Sequence, residues 1–263
     1  MFFSTLSIIQ MLLAILSSFA AVMIGSGGDI LFLSGMLLIV SVIMEHALNA
    51  YSLGPLVAIQ GIIATLMGGV AYARISSIPF GISAKTIGAT AAGSLFGSVV
   101  ARSLPSIALQ IVLAAAITGA SINGILQKKS PNKGRPEGFR TNTFLVLTLI
   151  FAIACLTGGL GVGGGFLFYF ALRSIGLSTR ATRGLTLMLT FANLLTSFLA
   201  HIASTHANFQ SIVSVGVGAL VGSLVAVLLL RAMNEHLARW GLQILLVSSA
   251  VFSWISILRY AGL

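Results

Sequence analysis

The sequence predicts an all-α polytopic membrane protein. It would consist of two inverted repeats of transmembrane helices, each a Gly-broken helix or re-entrant helical hairpin followed by three spans. Three observations carry this prediction. Mean hydropathy is +1.09. Only 7% of the 263 residues are charged and 57% are hydrophobic, whereas a soluble domain carries about 25% charged residues. A glycine cluster, Gly25-x-Gly27-Gly28, recurs as Gly161-x-Gly163-Gly164 in a similar apolar setting. This composition excludes a soluble enzyme, a secreted disulfide scaffold and a disordered chain. Cys155 is the only cysteine. It rules out an internal disulfide or a Cys-based zinc site and reads as a small packed residue.

A helix needs about 20 apolar residues to cross a bilayer, and the charge map delimits the candidates. The first apolar helix covers about 5–24 and ends at Gly25-Ser26-Gly27-Gly28. No Lys or Arg precedes it, so it lacks the positive region of a cleavable signal and is expected to be retained. A second run at 30–44 ends at Glu45-His46, and further runs cover 53–73, 86–101 and 106–126. Residues 127–141 hold five Lys/Arg, two Pro and two Gly, and form the linker. The second half opens with an apolar run at 142–160, then Gly161-Val162-Gly163-Gly164-Gly165 and a short run at 166–172. Residues 184–230 contain no charged residue and are too long for one span, so the polar stretch from His201 to Asn208 divides them. The last run covers 240–258. The expected organisation is repeat 1 over 1–126, a cytoplasmic linker over 127–141 and repeat 2 over 142–263.

The glycine clusters lie at an offset of 136, and a second landmark, Gly93-Ser94-Leu95 with Arg102, matches Gly222-Ser223-Leu224 with Arg231 at an offset of 129. The first half then has seven extra residues, which fit best near 37–50. Cytoplasmic loops hold the Lys and Arg of a membrane protein. If each half crosses an odd number of times, the linker cations (Lys128, Lys129, Lys133, Arg135, Arg140) share a side with Arg74, Lys85, Arg173, Arg180, Arg183, Arg231 and Arg239. That places 12 inside and leaves only Arg102 and Arg259 outside, whereas four crossings per half give 8 and 6. The odd count makes the repeats inverted, with both termini outside. The net charge of +10 is therefore read as orientation signal and not as a nucleic-acid surface.

Glycine lets backbone turn sharply and lets another group approach its N–H closely. Irregular backbone at membrane depth is tolerated only inside protein or along a cavity. Each cluster is therefore expected to break a helix. The half-helix that follows would present free N–H groups and a positive dipole end to an anion, and two inverted copies would aim two such ends at one midplane site. The candidate substrate-binding residues are Gly25, Ser26, Gly27, Gly28 and Asp29 in the first half, and Gly161, Gly163, Gly164, Gly165 and Asn193 in the second. Gly93-x-x-x-Gly97 and Gly218-x-x-x-Gly222 read as helix-packing motifs. Gly159-x-Gly161-x-x-Gly164 fits a dinucleotide fingerprint only formally, since it follows an apolar helix and has no acid within 60 residues downstream. No GK[ST] follows either cluster, so neither is a P-loop.

Several stretches together resemble the sulfite exporter TauE/SafE family: GLGVGGGFLFYF at 159–170, LSTRATRGLTLML at 177–189, an Asn-Leu-Leu-Thr-Ser helix ending at His201, and GALVGSL at 218–224. The weaker copy is IGSGGDILFL at 24–33 with GSLFGSVVARSLP at 93–105. The resemblance covers essentially the whole chain. It implies a multi-pass secondary transporter in the cell's inner (plasma) membrane that exports sulfite, organosulfonates or related sulfur-containing anions.

Asp29 is one of only four acids, and it stands on the first break where the second copy has Gly165. It is a candidate proton-coupling residue, with a helix N-cap as its simpler role. Arg180 and Arg183 share a helix face and serve either to attract an anion to the cytoplasmic mouth or to anchor topology. His201 and His206 lie at a turn without a ligand partner in helical register. No catalytic set, metal site or cofactor is expected, so the chain is read as no enzyme. Its expected partners are a small anion, the lipid bilayer and protons, without nucleic acid, and a homo-oligomer is left open. The alternatives are a transporter of a cation or neutral metabolite, and a non-transporting membrane assembly or accessory factor.

Overall fold

The structure, a computed structural model, describes residues 5–43, 50–75, 80–101, 103–127, 143–174, 179–201, 208–232 and 235–260. The expected linker beyond Gln127, Glu45-His46, Arg102, His206 and the side chain of Arg180 lie outside the described residues. The described residues form α1 (Thr5–Ile24), α2 (Gly28–Ile43), α3 (Ala50–Ala73), α4 (Phe80–Ala101) and α5 (Ser106–Gln127). The second half forms α6 (Thr143–Gly159), α7 (Gly165–Ser174), α8 (Thr179–His201), α9 (Phe209–Leu229) and α10 (Glu235–Tyr260). Five of them contain a stretch of 18 or more residues apolar enough to span a bilayer, and three more are shorter apolar helices.

The side-chain distribution fits a protein whose solvent is lipid. Large apolar residues point outward, among them Leu228 (81% exposed), Phe209 (78%) and Phe144 (76%). Small hydroxyl residues such as Ser17, Ser34, Thr90, Ser94, Ser98 and Ser223 are fully buried. Lipid tails are as apolar as Leu, so packing of small residues and hydrogen bonds, not burial of large apolar ones, hold such helices together.

Each glycine break is the tip of a helical hairpin. A side-chain carbon on Gly28 would collide with the Ser17 carbonyl and Ala21, and one on Gly35 would lie 2.9 Å from Leu13 Cδ2, so α2 folds back along α1. Likewise Phe168 and Leu172 of α7 share a buried cluster with Val146, Ile150 and Ala154 of α6. The first helix of each hairpin packs on a late helix of the other half, α1 on α9 and α6 on α4. The two seams are alike. A Cβ on Gly218 or Gly222 would strike the backbone of Met11 or Ile15, and one on Gly93 or Gly97 that of Phe151 or Cys155. Both Gly-x-x-x-Gly motifs are thus packing motifs. The glycines that occupy equivalent places are Gly93 with Gly218 and Gly97 with Gly222, not Gly93 with Gly222 as the Gly-Ser-Leu match suggests. α2 has 16 residues and α7 has 10, which places much of the excess length of the first half there.

α3 and α8 cross at the centre, where Gly61 faces Leu194 and Gly68 faces Leu187. α10 closes the side over α5 and α2, with Trp254 Nε1 donating to Thr118 Oγ1 at 3.1 Å.

Candidate functional site

Both breaks rest on left-handed backbone. Gly25 and Gly27 have φ of 84°, Gly161 has 70° and Gly164 has 67°, conformations that cost an L-residue with a Cβ about 1–2 kcal/mol. α6 ends in a paired cap in which Gly161 N donates to Gly158 O (3.1 Å) and Val162 N donates to Thr157 O (3.0 Å). This is the Schellman arrangement, which calls for glycine where Gly161 stands. Beyond each break the next helix starts on a glycine carbonyl. Leu31 N donates to Gly27 O, and Leu167 N and Phe168 N donate to Gly164 O.

The two tips meet. Gly163 N donates to Asp29 Oδ2 at 2.6 Å, joining residues 134 apart in sequence, and the backbone N–H groups of Gly164, Asp29 and Ile30 also face this carboxylate. A Cβ on Gly165 would lie 3.4 Å from Ser26 Cβ and 3.5 Å from Gly27 N. Asp29 is therefore not simply a cap of its own helix. Its buried carboxylate sits on amides at the start of α7, where a helix N-terminus favours negative charge.

Asn193 holds the second tip from α8. Its Nδ2 donates to Thr157 Oγ1 (2.9 Å), Val162 O (2.9 Å) and Gly163 O (3.1 Å). Its backbone carbonyl accepts from Ser94 Oγ at 2.8 Å, which ties α4 to the same point.

Asn193 belongs to a stripe. Arg183, Thr186, Thr190, Asn193, Ser197 and His201 are spaced three or four apart on α8, hence on one face, and all are buried. At the far end Ser197 Oγ donates to Gly158 O at 2.7 Å, and His201 Nδ1 lies 2.7 Å from Ser197 O. At the near end four buried atoms have no hydrogen-bond partner: Arg183 Nε, Thr186 Oγ1, Thr190 Oγ1 and, from the first break, Ser26 Oγ. A buried polar group left so costs about 1–3 kcal/mol, and more if charged. The Arg183 side chain lies across the first break, where a Cβ on Gly25 would sit 2.8 Å from its Cβ and Cγ.

Of the residues expected from sequence, Ser26, Gly27, Asp29, Gly163, Gly165 and Asn193 converge at the meeting of the tips, and Gly25 lies under Arg183. Four glycines turn their bare faces to scaffold: Gly27, whose N–H side adjoins Gly165, to Leu245 of α10, Gly28 to α1, Gly161 to Gly54 of α3, and Gly164 to Thr157. Arg183 is no exposed surface anchor: it is 6% exposed and lies against Gly25 at the first break. Thr186 and Thr190 join the site without having been expected there. The signal for them in the sequence is the alternating three- and four-residue spacing of polar residues through an apolar helix.

Among known proteins, the model of the family described as Sulfite exporter TauE/SafE matches residues 10–253. No curated protein and no solved structure matches the chain.

Proposed function

The chain belongs to the sulfite exporter TauE/SafE family, and on that premise we propose that it is a secondary exporter of small sulfur-containing anions, sulfite or organosulfonates, in the plasma membrane. The observation that carries the anion is the Asp29–Gly163 contact. A carboxylate is a tethered oxyanion, and its seat on bare amides of a helix break marks chemistry suited to a free one. Sulfite presents the same acceptor oxygens to the same donors.

The exchange of α1 onto α9 and of α6 onto α4, with glycines at matching places on both seams, supports two inverted repeats around this site. The 12-to-2 distribution of Lys and Arg supports a cytoplasmic linker and external termini. Asp29 is the coupling residue in this reading. Uptake of a proton neutralises it, weakens its hold on Gly163, and relieves the repulsion of an entering anion.

The test is flux in proteoliposomes with sulfite, sulfoacetate, acetate, phosphate and a neutral control. Sulfite or sulfonate flux above the others is expected, and equal leakage of all five sinks the reading. Asp29→Asn keeps an acceptor for Gly163 N but cannot ionise. It should transport without responding to a proton gradient, and a wild-type response in that variant removes Asp29 from coupling.

A further inference from the structure

We propose that Arg183, with the hydroxyls of Ser26, Thr186 and Thr190, forms the subsite that recognises the transported anion at the first break. This assignment rests on the transport reading above and deepens it by giving residues outside the glycine clusters a role toward substrate.

Charge is unevenly matched at the paired breaks. Two charged groups reach them, Asp29 and Arg183, both buried. Opposite charges so placed would be expected to pair, since an intramembrane cation is costly alone. Yet Asp29 is committed to Gly163 N, and among the described residues Arg183 has no ion-pair partner and its Nε donates to nothing. The cation is therefore held ready on one side of the meeting point while the carboxylate occupies the amides on the other.

The surroundings of Arg183 point the same way. Thr186 and Thr190 follow it at three and seven residues on α8, so their side chains line the same face. Ser26 adjoins Gly25, over which the Arg183 stem is laid. A Cβ on Gly165 would find Thr190 Oγ1 at 2.8 Å and Ser26 Cβ at 3.4 Å, so Thr190 on α8 and Ser26 on the first break both flank the start of α7. Arg183 Nε and the Thr186 and Thr190 hydroxyls on one face of α8, with the Ser26 hydroxyl on the first break, are four polar groups without hydrogen-bond partners among the described residues. Buried hydroxyls nearby, those of Ser94, Ser98, Ser197 and Thr157, are satisfied within the protein; Ser223 Oγ and Ser249 Oγ are also without partners, but stand alone on α9 and α10 with no buried cation beside them.

The chemistry of the donors names the ligand class. A guanidinium offers parallel N–H groups that match two oxygens of one oxyanion, and hydroxyls from two further directions suit the remaining oxygen of a pyramidal or tetrahedral group. A carboxylate uses only the first of these features, so the subsite favours oxyanions with three oxygens. Gly25 is needed for this arrangement twice over, for its φ of 84° and because any side chain would displace the Arg183 stem.

The experiment measures sulfite binding to the purified full chain by calorimetry, and flux in proteoliposomes, for wild type, Arg183→Lys, Thr190→Val, Ser26→Ala and the control Lys85→Gln, an exposed cation on α4. Arg183→Lys should weaken sulfite binding about tenfold to a hundredfold, the range for hydrogen bonds to a charged group, and Thr190→Val and Ser26→Ala about threefold to tenfold, the range for one ordinary hydrogen bond. Acetate binding should change less than sulfite binding in Thr190→Val. Lys85→Gln should bind as wild type. Thr190→Val and Ser26→Ala nearly conserve volume and decide the matter if the Arg183 variant does not fold. If wild type binds and moves sulfite while the Thr190, Ser26 and folded Arg183 variants keep its affinity, the subsite assignment is wrong and the transport reading stands. If wild type neither binds nor moves any anion, both fall.

Discussion

Asn193 offers the sharpest test of how the second break is held. Its Nδ2 carries two hydrogens and faces three acceptors, Thr157 Oγ1, Val162 O and Gly163 O, all within 3.1 Å. Asn193→Leu keeps the approximate volume and removes both donors. Thr157 Oγ1 retains its bond to Ile153 O, but the carbonyls of Val162 and Gly163 lose this donor. Side-chain hydrogen bonds in membrane proteins contribute about 0.6 kcal/mol on average and up to about 1.7 kcal/mol. Two orphaned carbonyls should therefore cost about 1–3 kcal/mol. Asn193→Asp is closer in shape yet should be worse, because it turns an acceptor toward three acceptors. The sign of its pH dependence follows. An ionised carboxylate at position 193 only repels these oxygens, whereas a protonated one regains an O–H donor. The stability of Asn193→Asp should therefore rise as pH falls while that of Asn193→Leu stays flat. Thermal unfolding in detergent across pH measures this, with proteoliposome flux as the companion readout. An Asn193→Asp protein as stable as wild type at neutral pH, with no gain on acidification, would refute the claim that Nδ2 pins the break.

Three further outcomes are expected. Gly97→Ala and Gly222→Ala should each destabilise the protein severely, because the added carbon meets the backbone of Cys155 or Ile15, whereas Gly119→Ala, with open space at its Cβ position, should be neutral or slightly stabilising; comparable melting temperatures for all three would contradict the seam geometry. Gly164→Ala should lose about 1–2 kcal/mol to its left-handed backbone and more to a contact 2.6 Å from Thr157 Oγ1, with flux lost, and normal flux would show that the second tip tolerates displacement. In a Cys155→Ser background, Asn132→Cys should be labelled only from the cytoplasmic face and Phe2→Cys only from outside, and the opposite pattern overturns the proposed topology.

Much of the helix plan was legible because it depends on local properties. The apolar run at 5–24 is α1 (Thr5–Ile24), the run at 106–126 is α5 (Ser106–Gln127), and the polar stretch His201–Asn208 does divide α8 from α9. The two breaks were legible because left-handed backbone selects glycine. The fold-back of α2 and α7 into hairpins was not, since a turn and a continued crossing require the same residues. The Gly-Ser-Leu match misleads for a physical reason. Small residues recur every four positions along a packed seam, so a local match slips by a turn without penalty, and only the contacts of Gly93 and Gly218 fix the register. Asp29 stands out by position, but its partner Gly163 lies in the other half, and no local pattern connects them. The sequence marks Arg183 as a cation that could attract an anion, but its burial against Gly25 was not legible, because in a chain with 14 Lys and Arg a cation near a helix start also reads as an orientation signal.

The glycines at the centre serve distinct physical purposes, and the distinction locates the chemistry. At Gly93, Gly97, Gly218 and Gly222 the missing side chain admits the backbone of a partner helix, which is packing. At Gly25, Gly27, Gly161 and Gly164 it permits positive φ, which is chain reversal. Gly163 and Gly165 answer to neither need. Neither has positive φ, and neither admits a helix backbone at a seam. A Cβ on Gly163 would crowd Thr190 and come within 3.1 Å of Asp29 Oδ2, and one on Gly165 would come within 2.8 Å of Thr190 Oγ1. What these two glycines make room for is side chains of other elements: at Gly163 the Thr190 methyl, Leu194 and the Asp29 carboxylate, and at Gly165 the unpartnered Thr190 hydroxyl. Bare backbone beside polar groups is costly in an apolar solvent unless those groups are engaged, and here they are engaged by Asp29 on one side only. That half-filled arrangement separates this meeting of tips from the helix seams around it.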